Sequence, residues 1–268
     1  MDSLKMKFEI QIITCNDVYG CVNSILELIK PELLDRNVVV KVFEDLHKFA
    51  GMLQLPKFVK SYMVSDKHRG RQRMFNWMCQ SADADTDIII HCQDDAFPSK
   101  GCMTNMFNAW EAFYGTNTAA IAFPVMHGDD LVKQKVLKCR NDLLMCLDKL
   151  DTLPRNPGWE DTGFAKVMHS VHGSGFGVRK SVFDKFGKVT EEHWAYDEDL
   201  SYQIYTKTED VIIVIPGANL YHISGLSGGA VPEGDRGGDR IGWFVEYGKT
   251  HEECAMEMAQ SRIRKGWV

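Results

Sequence analysis

The sequence predicts an α/β protein, with a mostly parallel, Rossmann-like central sheet flanked by helices, and three observations carry that expectation. Short apolar runs of strand length alternate with helically spaced segments. Their order begins strand, helix, strand, helix, strand, and Pro or Gly punctuates the joints.

Phe8 to Thr14 (FEIQIIT) alternates and then runs apolar, a first strand. Val18 to Lys30, with Leu26, Leu28 and Ile29, reads as a helix stopped before Pro31. A second strand, Val38 to Phe43, ends in the acids Glu44 and Asp45. After a loop containing Pro56, Gly70 to Ser81 has helical spacing at Met74, Phe75, Trp77 and Met78, and it leads into a strand at Asp87 to Cys92. Cys102 to Tyr114 reads as a helix closed by Gly115, and Ala119 to Phe123 returns to strand character. Residues 129 to 170 are expected to hold a charged helix near Leu131 to Leu150 and a Pro- and Gly-rich loop, TLPRNPGWEDTG, inserted over a site. Val211 to Ile215 is a further strand. The expectation is one domain over 1–268, with a first half at about 1–125 and a second at about 126–268.

With 268 residues, 44% hydrophobic and 25% charged, the chain can bury a full core, and the composition argues against long disordered tracts. The formal net charge of −6 gives no overall field for a polyanion, so any nucleic-acid contact must be local. Lys67 to Arg73 and Arg262 to Lys265 are the basic clusters available for one, although a solvated helix face is the simpler reading of each. Eight cysteines without a Cys-x-x-Cys pair point to reduced thiols rather than a zinc cage or a disulfide framework. No run is long enough to span a bilayer and MDSLKMKFEI lacks a secretory core, so no membrane insertion and a cytoplasmic location are expected, the host cytoplasm for a viral protein.

Chemistry concentrates in three places. After the Asp87 to Cys92 strand come Gln93, Asp94 and Asp95, at the strand end where open α/β sheets bind ligands. Adjacent carboxylates there suit a hard divalent cation, Mg²⁺ or Mn²⁺, that also takes oxygens from a diphosphate, although a solvated turn or helix cap is the bland alternative. Asp197, Glu198 and Asp199 open a helix, more acid than capping requires, and one of them can serve as a proton acceptor. His222 follows the Val211 strand and precedes the glycine-rich GLSGG. Trp159 and Trp194 are aromatic surfaces suited to sugar stacking or to plain packing. His169 and His172 flank Gly173 to Gly177, a run placed too late in the chain for a dinucleotide fingerprint and better suited to close backbone approach.

Taken in order over roughly residues 8 to 225, these motifs resemble the GT-A glycosyltransferases, in particular the family-2-like group that uses nucleotide-diphosphate sugars. The resemblance implies a GT-A fold and a metal-dependent transfer of a sugar, with UDP as the expected carrier, to an acceptor hydroxyl. It places the nucleotide at Thr14, Asn16, Glu44 and Asp45 and the diphosphate at Arg69 and Arg71. It further implies that Asp94 and Gly175 lie against the nucleotide sugar, that Asp95 and His222 hold the metal, and that the base lies within Asp197, Glu198 and Asp199. The family's Asp-x-Asp pattern is departed from at Gln93, where an acid is usual. Similar small enzymes of bacteriophages glycosylate hydroxymethylated pyrimidines, which adds DNA carrying such bases to the expected acceptors beside glycans and free sugars. Two other classes fit parts of the pattern: a nucleotidyltransferase on a related fold, which has no need of the base, and a nucleic-acid-binding module using residues 67 to 73.

Overall fold

The computed structural model describes residues 6–15, 17, 19–46, 50–127, 164–189, 196–223 and 247–266. The expected helix near 131–150, the TLPRNPGWEDTG loop with Trp159, and Asn16, Trp194, Gly225, Gly228 and Gly229 lie outside the described residues.

The chain builds a largely parallel eight-stranded sheet from β1 (Phe8–Thr14), β2 (Val38–Glu44), β3 (Val59–Val64), β4 (Ile88–Gln93), β6 (Thr118–Ala122), β8 (Lys166–Met168), β9 (Gly175–Arg179) and β10 (Val211–Val214), in the order β3-β2-β1-β4-β9-β6-β10-β8. The β3-β2-β1-β4 and β6-β10 contacts are parallel, whereas β9 runs antiparallel to both neighbours and β8 antiparallel to β10. Strands from both halves of the chain therefore share one sheet. Its helices are α1 (Cys21–Ile29), α2 (Arg71–Gln80), α3 (Cys102–Phe113), α4 (Lys180–Phe186), α5 (Tyr196–Lys207) and α6 (His251–Arg264). None of the described helices is long and apolar enough to cross a membrane.

A second, three-stranded sheet orders β5 (Ala96–Pro98), β11 (Leu220–His222) and β7 (Val125–His127) with β11 in the middle. Its ladder pairs Ala96 with His222. The residue after Asp95 is thereby fixed beside the histidine of β11.

Both faces of β1 are covered, which is why its alternation does not mark a solvent face. Phe8, Ile10 and Ile12 are buried on one side, and Glu9 and Gln11 are as fully buried on the other. The buried Glu9 is compensated by Lys41 at 3.0 Å, by the Gln11 amide at 2.6 Å and by the Asp83 backbone N–H at 2.9 Å. Lys41 also reaches Asp83 at 2.9 Å, and the cluster of Lys60, Lys41 and Lys7 holds the Asp83 carboxyl well below the usual carboxylate range. This network ties the lower ends of β1 and β2 to the turn after α2.

Several elements escape sequence patterning for identifiable reasons. β5, β7, β8 and β11 are three residues each, too short to show a period. β9 (GFGVR) carries two glycines, which read as a loop, yet the space demands them: a Cβ on Gly177 would stand 2.5 Å from Trp110 Nε1. The C-terminal α6 is set by a capping box, Thr250 Oγ1 accepting from Glu253 N and Glu253 answering on Thr250 N. Within the basic tail, Lys265 donates to the Tyr205 carbonyl at 2.9 Å and so satisfies the end of α5.

Replacing Lys41 with Met leaves Glu9 as a buried charge without its cation, and Lys41→Met is expected to cost about 3 kcal/mol of stability, read as a lower midpoint in urea at pH 7. A loss under 0.5 kcal/mol would show that hydrogen bonds alone suffice for Glu9.

Candidate active site

The parallel strands deliver their C-terminal ends to one edge, and their registers decide which side chains meet there. Thr14 lies opposite Glu44 across β1 and β2, Ile13 lies opposite Gln93 across β1 and β4, and Cys92 pairs with Gly175 at the start of the reversed β9. A crest of Glu44, Thr14, Asp94 and the 172–175 turn follows directly from this alignment.

Asp94 is buried and accepts the Thr14 hydroxyl at 2.5 Å, while its backbone N–H donates to the Ile13 carbonyl. Burial, with the adjacent charge of Asp95 second, pushes its carboxyl well above the ordinary carboxylate value. The Arg71 guanidinium opposes this shift, so the diphosphate-side arginine expected from sequence stands within electrostatic reach of the acid pair. Asp95 is buried too, and its Oδ2 lies 3.4 Å from His222 Nε2. The His172 ring packs edge-on to His222 with centroids 5.9 Å apart, bringing a further imidazole to the same corner.

The Asp95–His222 pair fits a small dication. Two ligands about 2.1 Å from one ion, at angles between octahedral and tetrahedral, lie about 3.0 to 3.4 Å apart. Among the described residues no three His, Cys, Asp or Glu side chains form a cage, so a bound ion would rely on water and ligand oxygens for its other positions. That is the usual habit of ions that also hold a phosphate.

On the other side of the crest, Glu44 accepts the Tyr62 hydroxyl and the Gly51 N–H. Asp45 organises the loop before α2: it accepts from the backbone of Arg69 at 2.8 Å and Gly70 at 2.9 Å, and from Ser65 Oγ at 3.0 Å, with His68 Nδ1 3.0 Å away. Arg69 is itself held by Asp66 at 2.6 Å and lies over the Trp77 ring. The middle of the basic 67–73 segment is thus folded into the edge of this site.

Asp197 lies on the first turn of α5, where it accepts the Gly173 N–H at 2.8 Å. Desolvation, with Glu198 as a secondary contributor, raises its pKa to about 6. Glu198 is half-buried beside it. Asp199 is fully buried and engaged elsewhere, accepting from Gln203 at 2.9 Å and from the Tyr247 hydroxyl, which ties α5 to the approach to α6. Among the three consecutive acids, Asp197 is bonded to the turn at the strand ends.

Gly175 needs a different account from the one its sequence context invites. An added Cβ would meet Leu220 Cδ1 at 2.5 Å and the His91 carbonyl at 3.1 Å, so packing between the two sheets already requires a glycine there. Gly173 is the glycine facing the acid, with its missing Cβ 3.3 Å from Asp197 Oδ2. Residues that sequence reasoning passed over include Cys15, half-buried at the end of β1, whose thiol is pushed up to about 12 by burial and by Asp45 and Asp94. Asp17 caps α1 through the N–H groups of Cys21 at 2.6 Å and Val22 at 3.1 Å. Both follow a strand end directly, the one signal that could have found them.

Neither a family profile nor a curated protein matches the chain at the sequence level. Solved structures do match its fold. PcManGT, a mannosyltransferase from Pyrobaculum calidifontis in complex with GDP-Man and Mn²⁺, superposes with a TM-score of 0.53 at 13% identity over 82% of this chain and 57% of that one. S. aureus TarS 1-349 in complex with UDP-GlcNAc gives 0.57 at 12% identity, over 82% and 61%. GalNAc-T7 with UDP, GalNAc and Mn²⁺ gives 0.57 at 11% identity, over 82% and 44%. The chain has the α/β fold of the GT-A glycosyltransferases. It spans less than two thirds of the length of each of these structures.

The packing account of Gly175 is testable. Gly175→Ala is expected to lower stability by about 1–3 kcal/mol, and combining it with Leu220→Ala is expected to cost less than the sum of the two single changes, as thermal melting in a double-mutant cycle would read. Strict additivity would mean that Leu220 is not what excludes the Cβ.

Proposed function

We propose that this chain is a metal-dependent glycosyltransferase that moves a sugar from a nucleotide-diphosphate donor, with a UDP-sugar as first candidate, to an acceptor hydroxyl. The observation that carries the reading is the pairing, on one sheet edge of a GT-A fold, of a buried Asp95 beside a half-buried His222 with a separate carboxylate, Asp197, whose pKa is raised to about 6.

Donor binding falls to the ends of β1 and β2. Thr14 and Glu44 border the slot for base and ribose, Asp45 shapes the loop that presents Arg69 and Arg71, and these arginines offer cationic forks to the diphosphate. Asn16 is assigned to the same slot from the resemblance alone. Asp95 and His222 would hold Mn²⁺ or Mg²⁺, which when bound stabilises negative charge on the departing diphosphate. Asp94, fixed by Thr14, lines the inner wall beside that pair.

Asp197 is the proposed base. It takes the proton from the acceptor hydroxyl as the new bond to the sugar forms, and the Gly173 N–H holds its carboxylate in place while it does so. Glu198 sets its charge environment and Asp199 anchors the helix. Which hydroxyl is used is decided by assay: hydroxymethylated DNA, glycans and free sugars are the acceptors to compare.

Two measurements test this reading. UDP with Mn²⁺ is expected to raise the melting temperature where UDP or Mn²⁺ alone does little; no response to any nucleoside diphosphate with metal would end the proposal.

For Asp197 the sign follows from its raised pKa. The carboxylate is protonated below about 6 and ionised above it, so kcat/KM for transfer should climb with pH and level off above about 6. Asp197→Asn should lower kcat by about 10²–10⁴-fold with nucleotide affinity kept. Because a raised carboxyl binds more protons folded than unfolded, its ionisation costs stability as pH rises through about 6, and the Asn variant should melt no lower than wild type at pH 7.5. An Asn variant that keeps full turnover removes Asp197 from the chemistry.

A further inference from the structure

A buried chain of hydrogen bonds runs from the end of β4 to the helix bearing Asp197, and its centre is the Tyr196 hydroxyl. That hydroxyl donates to the Gly173 carbonyl at 2.6 Å, receives the Gln93 amide at 2.9 Å, and lies 2.8 Å from His91 Nε2. A phenol has one proton to give. With that proton on Gly173, the hydroxyl accepts from both Gln93 and His91, which requires the His91 proton to sit on Nε2. Burial pushes the His91 ring down to about 3, so it remains a neutral donor at ordinary pH. Phe75 stacks on Tyr196 at 4.8 Å and meets His91 edge-on at 5.4 Å, so one ring packs against both partners.

The downstream end of the chain matters most. Gly173 gives its carbonyl to Tyr196 and its N–H to Asp197 Oδ2, so one residue joins the buried cluster to the candidate base. Gln93 also receives this turn through its backbone, donating its N–H to the Ser174 carbonyl at 2.9 Å. Gln93 is the position at which the related pattern carries an acid. A carboxylate there can only accept; it would draw the Tyr196 proton to itself and release Gly173.

We propose that Gln93, His91 and Tyr196 are positioning residues, a latch that holds the 172–174 turn and through it sets Asp197 relative to the Asp94–Asp95 edge, and that position 93 must be an amide for the latch to close. Its effect on turnover rests on the glycosyltransferase reading; its effect on Asp197 does not.

The test uses the full chain labelled with ¹⁵N-glycine, together with the variants Tyr196→Phe, which keeps the ring on Phe75, and Gln93→Glu, which keeps the shape. The Gly173 amide reports ionisation of Asp197 and should titrate near pH 6 in wild type. In both variants the loosened Gly173 N–H stabilises the carboxylate less, so the midpoint should rise by roughly half a unit or more. Donor turnover should fall about tenfold or more in kcat, with the Kd for UDP and Mn²⁺ changed less than about threefold. An unmoved Gly173 midpoint in both variants, even with a lowered melting temperature, overturns the latch, as does a Gln93→Glu enzyme as active as wild type. If wild type turns over no nucleotide sugar, the functional reading fails, and the amide midpoints still decide the latch.

Discussion

Two carboxylates placed side by side and out of water at the end of β4 constrain everything around them. A lone buried acid can escape its cost by staying protonated, but an adjacent pair needs donors and cations from several directions. The fold supplies them from different elements: the Thr14 hydroxyl from β1, the Arg71 charge from the start of α2, and the His222 ring from the small sheet. Each of these supports is itself held by something else. Asp45 accepts the N–H groups that orient the turn before Arg71, and the pairing of Ala96 with His222 puts the imidazole where Asp95 can reach it.

The same logic separates acids that resemble one another in the sequence. Asp45 is saturated by backbone donors and works as a joint in the fold, whereas Asp94 accepts the Thr14 hydroxyl and carries the cost of burial. Asp197 and Asp199 are two residues apart on a helix and therefore face different ways. One meets the turn at the strand ends; the other binds Gln203 and Tyr247. Three adjacent acids look alike in the sequence, and helical geometry sends Asp197 to the 172–174 turn and Asp199 to the contact between α5 and the approach to α6.

Much of the fold was legible because long apolar strands and amphipathic helices leave a period. The strand Phe8–Thr14 matches its expected limits, and the helix Cys102–Phe113 differs by one residue. The strands that assemble the site were not legible, since three residues show no period and the glycines of β9 imitate a loop. Of the candidate site, what was legible is position alone: acids after strand ends mark an edge, and Asp94, Asp95, Asp197 and His222 lie along it. What escaped was the non-local part. Nothing near Gln93 in the sequence indicates a tyrosine 103 positions away, and the reason for glycine at 175 lies in Leu220.

The reversed strand at the centre of the sheet has a consequence for how the chain is made. Strands β1 to β4 are complete by residue 93 and pair among themselves, but the outer edge of Ile88 to Cys92 finds its neighbour only in residues 175 to 179. Throughout synthesis of the intervening eighty or so residues, a strand of three isoleucines and a cysteine has one open side. The nascent chain thus carries an adhesive rim until the late segment closes it.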